Sequence, residues 1–134
     1  MADSALVDLS RYRLEKAAEM LAAAQRDAKE ADYASANNRA YYCVFHAMRA
    51  VLALDGEDYK KHSAVIARFS QAYLKTDILP RDFGVLISNA ALIRNRSDYE
   101  DFYVCSIEDT RQLLDGAERF YEAVRAYLLT RYAQ

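Results

Sequence analysis

The sequence predicts an all-α protein, an up-and-down bundle of four to five helices. Three observations carry this. The 134 residues include one Pro and three Gly, too little punctuation for many short strands. Hydrophobic residues make up 53% of the chain, with Ala, Leu, Glu, Lys and Arg abundant, a composition that favours helix. The apolar positions recur at spacings of three and four in separate segments joined by short polar stretches, so neighbouring helices run antiparallel. A chain of this length fits one domain, taken as residues 1–134.

The first helix is expected from about Leu9 to Glu30. Leu14, Ala17, Leu21, Ala24 and Ala28 form one narrow apolar stripe, and Arg13, Lys16, Arg26 and Lys29 fall among acids on a solvated face. The second runs from about Tyr33 to Leu54. Tyr41, Phe45, Met48 and Leu52 line one side, and Tyr42, Val44 and Val51 widen it, so this helix belongs at the centre of the bundle. Asp55-Gly56 ends it, because Gly takes the left-handed conformation just past a helix without penalty.

The third helix covers about His62 to Tyr73, with Val65, Ile66, Phe69 and Tyr73 inward. Thr76 to Pro80 reads as a turn, with Pro80 in the first turn of the next helix. That fourth helix carries Phe83, Leu86, Ile87, Ala90 and Ile93, and leads into the polar stretch Arg94 to Asp101. The last starts near Ser106, where Ser followed by Asp109 resembles a capping box. It extends to about Tyr132 on Leu113, Ala117, Phe120, Val124 and Leu128.

Composition narrows the function classes. The formal net charge of −2 argues against non-specific coating of DNA but leaves room for a local basic cleft. Cys43 and Cys105 have no CxxC spacing, so neither a zinc site nor a disulfide framework is indicated. Cys43 is expected buried and inert. Cys105, beside a helix start, has no base placed to make it a nucleophile. No charged-then-apolar leader opens the sequence, no apolar run reaches the ~18 residues of a membrane helix, and no strongly basic amphipathic helix is present. The expectation is a cytoplasmic protein with reduced thiols, no metal, no cofactor and no membrane partner.

Three stretches, in order, carry a family resemblance. The first is Ala40-Tyr41-Tyr42-Cys43-Val44-Phe45-His46-Ala47-Met48-Arg49-Ala50. The second is Lys61-His62-Ser63-Ala64-Val65-Ile66 with Phe69. The third is Arg94 through Asp98-Tyr99. Together they resemble the short HEPN-domain proteins of bacteria and archaea, over nearly the whole chain. The resemblance implies a helical bundle that forms a homodimer. It also implies an RNA- or nucleotide-related role, either as a metal-independent ribonuclease or as a binding module, and in some members a toxin beside a small nucleotidyltransferase antitoxin.

Active HEPN ribonucleases carry Arg, a polar residue and, about a turn later, His. Here Arg94-Asn95 matches the opening, and Tyr99 stands where His is expected. Cleaving RNA through its own 2′-hydroxyl needs proton transfer near pH 7, which suits His with an ordinary pKa of about 6.5. Arg suits the phosphate because its guanidinium stays charged and can bond two oxygens at once. Tyr begins near pKa 10, a handicap of about 4 kcal/mol for a base at pH 7. Tyr99 can still donate a hydrogen bond or stack on a base.

The resemblance therefore points to a binding or toxin-type component with a degenerate ribonuclease motif made of Arg94, Asn95 and Tyr99. Arg96, Asp98, Lys61 and His62 are candidate contacts to RNA or nucleotide, His62 because it opens a helix after two lysines. An endoribonuclease using Arg94 is the first alternative. A non-catalytic module docking a protein through Tyr121, Tyr127 and Tyr132 is the second. Each residue also has a structural reading. Arg94 and Asp98 stand four apart and can form an ordinary helix pair. His46 reads as a hydrogen-bonded structural residue. Arg39, Tyr42 and Arg49 lie near one side of the second helix, where they either line a groove or stabilise the bundle or dimer.

Overall fold

A computed structural model describes residues 3–134. The chain forms five α-helices: α1 (Ser4–Lys29), α2 (Tyr33–Leu54), α3 (His62–Phe69), α4 (Phe83–Tyr99) and α5 (Ile107–Tyr132). A π-helical turn, Ser70–Leu74, extends α3. There is no β-strand among the described residues. The all-α bundle expected from the apolar spacing is therefore the observed architecture, with 79% of the described residues helical.

α2 is the axle. It packs against α1, α5, α4 and α3, and thirteen of its residues are buried. Alanines set the distance to α1: Ala17 and Ala24 of α1 and Ala40, Ala47 and Ala50 of α2 are fully buried, and a methyl side chain lets two backbones approach closely. Larger groups fill the other side, where Phe69, Ile87, Phe120 and Leu128 meet Met48 and Val51 in one continuous core.

Local chemistry fixes the ends. Asp3 caps α1, its Oδ1 accepting from Ala5 N at 2.8 Å, so α1 begins five residues before the expected Leu9, ahead of its apolar stripe. Asp32 caps α2 by accepting from Ser35 N, and Ser106 caps α5 by accepting from Asp109 N at 3.0 Å. Gly56 sits at φ 70° after α2, and Glu57 N and Gly56 N donate back to Leu52 O and Ala53 O, a Schellman closure. The same closure ends α1, but with Ala31 at φ 60° in the glycine position.

The other boundaries shift for physical reasons. α3 does not run straight to Tyr73. The π turn accommodates an extra residue, and Tyr73 and Leu74 both end buried. Pro80 lies in a lead-in turn, its carbonyl accepting from Phe83 N, and regular helix starts only at Phe83. The polar stretch from Arg94 stays helical to Tyr99, because Arg94–Asp98 and Arg96–Glu100 pair at i,i+4 and the turn lies against α2. Arg13, expected on a solvated face, is only 8% exposed. Its aliphatic stem packs inward, and its head meets Arg49 O and Asp58.

Candidate functional site

The last two turns of α4 lie against the first half of α2, and polar side chains fill the seam. Asn37 Nδ2 donates to Ser97 Oγ at 3.2 Å, and Asn38 Nδ2 donates to Asp98 Oδ2 at 2.8 Å. These bonds lock the helical phase of α4 so that Arg94 faces α2. Its side chain is 16% exposed. Its Nη2 donates to Tyr42 Oη at 2.9 Å and its Nη1 to Asn95 Oδ1 at 3.1 Å. Asp98 Oδ2 stands 3.1 Å from its Nε, but off the line of the N–H, so this contact is an ion pair that leaves the Nε hydrogen without an acceptor.

Three rings surround that guanidinium. The centroids of Tyr41, Tyr42 and Tyr99 lie 5.4, 5.3 and 5.4 Å from its central carbon, within cation–π range. Tyr99 is 72% exposed, so its ring is free to meet a ligand.

A histidine reaches the same cluster from another helix. His62 opens α3, its Nδ1 lies 2.8 Å from Tyr41 Oη, and its ring sits 4.1 Å from that of Phe45. Burial, then the positive charges of Arg94 and Arg49, hold its pKa below the ordinary 6.5. The imidazole is therefore neutral at pH 7 and can accept a proton. Burial pushes the Tyr41 phenol up to about 12, against the opposing pull of Arg94, so Tyr41 keeps its proton.

Arg94, Asn95, Asp98 and Tyr99 thus come together, and His62 joins them through Tyr41. Lys61 takes the N-cap position of α3 beside His62 and is exposed. Arg96 does not join. It points along another side of α4, 4.0 Å from Glu100 and 6.0 Å from the Tyr103 ring, and lines a groove between α4 and α5. Tyr41 and Asn38 were missed as site residues, and Tyr42 and Arg49 were placed only near a groove. Aromatic residues on a central helix read as core, and nothing in sequence spacing reveals which α2 residues α4 will face.

The C-terminal tyrosines are committed within the chain. Tyr132 Oη hydrogen-bonds Ser10 Oγ at 2.7 Å, Tyr127 Oη accepts from Arg131 at 2.7 Å, and Tyr121 packs on the core. Cys43 is buried, with its thiol pushed up to about 12 by burial. No group of three or more His, Cys, Asp or Glu residues suited to a metal occurs among the described residues.

The sequence profile of the HEPN domain matches residues 10–127. The chain belongs to the HEPN domain family. Among its relatives is a UPF0332 protein of Thermotoga maritima, 30% identical over 90 residues, which cover 67% of this chain and 68% of that protein. Two Methanocaldococcus jannaschii proteins are also similar. One, named "Putative toxin MJ0142", is 28% identical across 88% of this chain and 80% of its own length. The other, named "Putative toxin MJ0605", is 28% identical across 86% of this chain and 85% of its own length. No helix among the described residues of this HEPN protein is long and apolar enough to cross a membrane.

Proposed function

We propose that this HEPN-domain protein is a toxin-type component that binds RNA, with Arg94 holding a backbone phosphate. One observation carries the reading: Arg94 is held by Tyr42 and Asn95 and flanked by three rings, yet each of its two Nη atoms uses only one of its two hydrogens. A pre-positioned guanidinium loses little side-chain freedom when it grips an oxyanion. Tyr99 offers an exposed face on which a neighbouring base stacks. The relatives named as toxins support the toxin-type assignment. The reading includes a homodimer and a nucleotidyltransferase antitoxin as partners, with a cytoplasmic location.

The neutral His62, tied to Tyr41, favours a second reading, a metal-independent endoribonuclease. His62 would take the proton of a ribose 2′-hydroxyl. The 2′-oxygen would then attack the adjacent phosphorus, and the bond to the 5′-oxygen would break with a proton taken from water, giving a cyclic phosphate and a 5′-hydroxyl end. Arg94 would stabilise the charged phosphorane. In this reading His62 supplies the proton transfer for which Tyr99 is poorly suited.

Incubation with mixed single-stranded RNA in the presence of a metal chelator tests both readings. The parent should bind, and Arg94→Ala should lose at least tenfold in affinity, about 1.4 kcal/mol. Cleavage by the parent that His62→Gln abolishes without loss of binding selects the nuclease. Binding with no cleavage by either selects the binding module. Failure of the parent to bind or cut RNA removes both.

A further inference from the structure

A recess of about 480 Å³ opens between α1 and α2, away from the α4 seam. Arg13, Lys16, His46 and Arg49 line it together with Leu9 and Tyr12. The cations are incompletely matched. Asp58 bridges two of them, its Oδ2 3.2 Å from Arg13 Nη2 and its Oδ1 3.0 Å from Arg49 Nη2, and Lys16 stands 3.7 Å from Glu19.

The pairing with Asp58 is lopsided. The Arg13 side chain is 10% exposed, whereas that of Asp58 is 58% exposed, so a deeply placed guanidinium leans on a carboxylate that water already serves. A guanidinium carries five N–H donors. Arg13 makes only a 3.4 Å bond to Arg49 O and the bond to Asp58, and Arg49 makes only its bond to Asp58. The buried Nε–H of Arg49 has no protein acceptor.

Orphaned buried polar atoms are uncommon and call for an explanation, a bound ion being one. Among the described residues three side chains have one, Asn37, Arg49 and Arg94, and all lie on α2 or at its seam with α4. Cations also surround His46 at the recess. His46 is held below its ordinary pKa by burial, then by Arg49, Lys16, Arg13 and His62, with no acidic group among the causes.

One face of α2 links the recess to the Arg94 cluster. Tyr42, which accepts from Arg94, has its ring 5.9 Å from that of His46, and His62 feels both Arg94 and Arg49. Tyr42, His46 and Arg49 follow one another at spacings of four and three along one face of α2.

We propose that the α1–α2 recess is a second phosphate subsite, in which Arg49, Lys16 and Arg13 hold a phosphate of the strand whose neighbouring phosphate sits at Arg94. Leu9 and Tyr12 give the adjoining sugar or base an apolar wall. Asp58 competes with that phosphate for the two guanidinium groups. The identity of the strand as RNA rests on the reading of the Arg94 cluster. The affinity of the recess for phosphate does not.

Anisotropy of a short fluorescein-labelled single-stranded RNA, with AMP and inorganic phosphate as competitors, tests this on the full chain. The Lys16 side chain is partly exposed, so Lys16→Glu keeps the fold, which circular dichroism checks. Lys16→Glu and Arg49→Gln should each weaken RNA binding about tenfold. Each should also flatten the slope of log affinity against log salt by about 0.7 per lost phosphate contact. Asp58→Asn should tighten binding.

Parent-like affinity in both Lys16→Glu and Arg49→Gln, with Asp58→Asn no tighter, would make the recess a structural clamp and overturn the proposal, whatever Arg94→Ala does. Weakening by Lys16→Glu with an unaffected Arg94→Ala keeps the recess and removes the Arg94 reading. Competition by AMP that survives Arg94→Ala and disappears in Lys16→Glu assigns the subsite to a free nucleotide. RNA binding that is lost in Lys16→Glu but resists AMP assigns it to a backbone phosphate.

Discussion

At the residue scale the account turns on a few side chains around Arg94. Arg94→Lys keeps the charge but loses the planar fork that reaches Tyr42 and Asn95 together, so it should behave nearly as badly as Arg94→Ala in RNA binding. Tyr99→Phe keeps the ring and should bind like the parent. Tyr99→Ala removes a stacking face and should cost about 1–3 kcal/mol of affinity in the same assay. The histidines give a pH signature. His46 and His62 both have folded pKa values below the ordinary 6.5, through burial first and neighbouring cations second. The unfolded chain therefore binds protons more readily, and their contribution to stability is complete above about pH 6.5 and lost as pH falls through the folded values. Urea midpoints between pH 7 and pH 5 should fall in the parent and fall less in a His46→Gln, His62→Gln double variant. Arg94, Asn95, Asp98 and Tyr99 were singled out in the sequence because the stretch from Arg94 to Tyr99 resembles the HEPN motif. Their setting was not, since Tyr41 and Asn38 gain their roles only once α4 is laid across α2.

At the element scale, chemistry at the ends decides how far each helix was readable. α2 was legible at its expected bounds of Tyr33 and Leu54, with Asp55-Gly56 marking its end, whereas the Asp32 cap entered only with the structure. The end of α4 was not, because Arg94 to Tyr99 has the composition of a loop and stays helical through i,i+4 pairs and contacts to Asn37 and Asn38. The π turn after α3 leaves no periodic trace, since one extra residue merely shifts the inward positions to Tyr73 and Leu74. α1 offers a direct test. Ala31 holds φ 60°, a left-handed conformation that an L-residue with a Cβ adopts at a cost of about 1–2 kcal/mol. Ala31→Gly should raise stability by about 0.5–1 kcal/mol after the extra freedom of Gly in the unfolded chain is deducted, read as a higher urea midpoint with unchanged slope. Ser106→Ala should do the reverse, losing about 1 kcal/mol with the cap of α5.

At the scale of the whole molecule, one core supports a polar seam and leaves apolar groups outside. Phe102 is wholly exposed and holds φ 62°, and Val104, close by in the chain, is exposed too. Large apolar groups left in water, one on a left-handed backbone, suit a surface that a second copy covers. If the proposed homodimer uses this surface, light scattering should give a dimer for the parent and a monomer for the Phe102→Ser, Val104→Glu double variant, with helicity unchanged. The bundle itself was the most readable feature of the sequence, because apolar spacing reports burial directly. The exposed apolar residues Phe102 and Val104 were not, because they lie outside any helix, where no period applies.

The most direct test of the central claim, that Arg94 is a phosphate-binding group, is the salt dependence of RNA affinity for the parent and for Arg94→Ala at matched helicity. The account predicts weaker binding by Arg94→Ala and a log–log slope shallower by about 0.7, the signature of one lost contact to a single strand. Identical affinity and slope in the two proteins would contradict it.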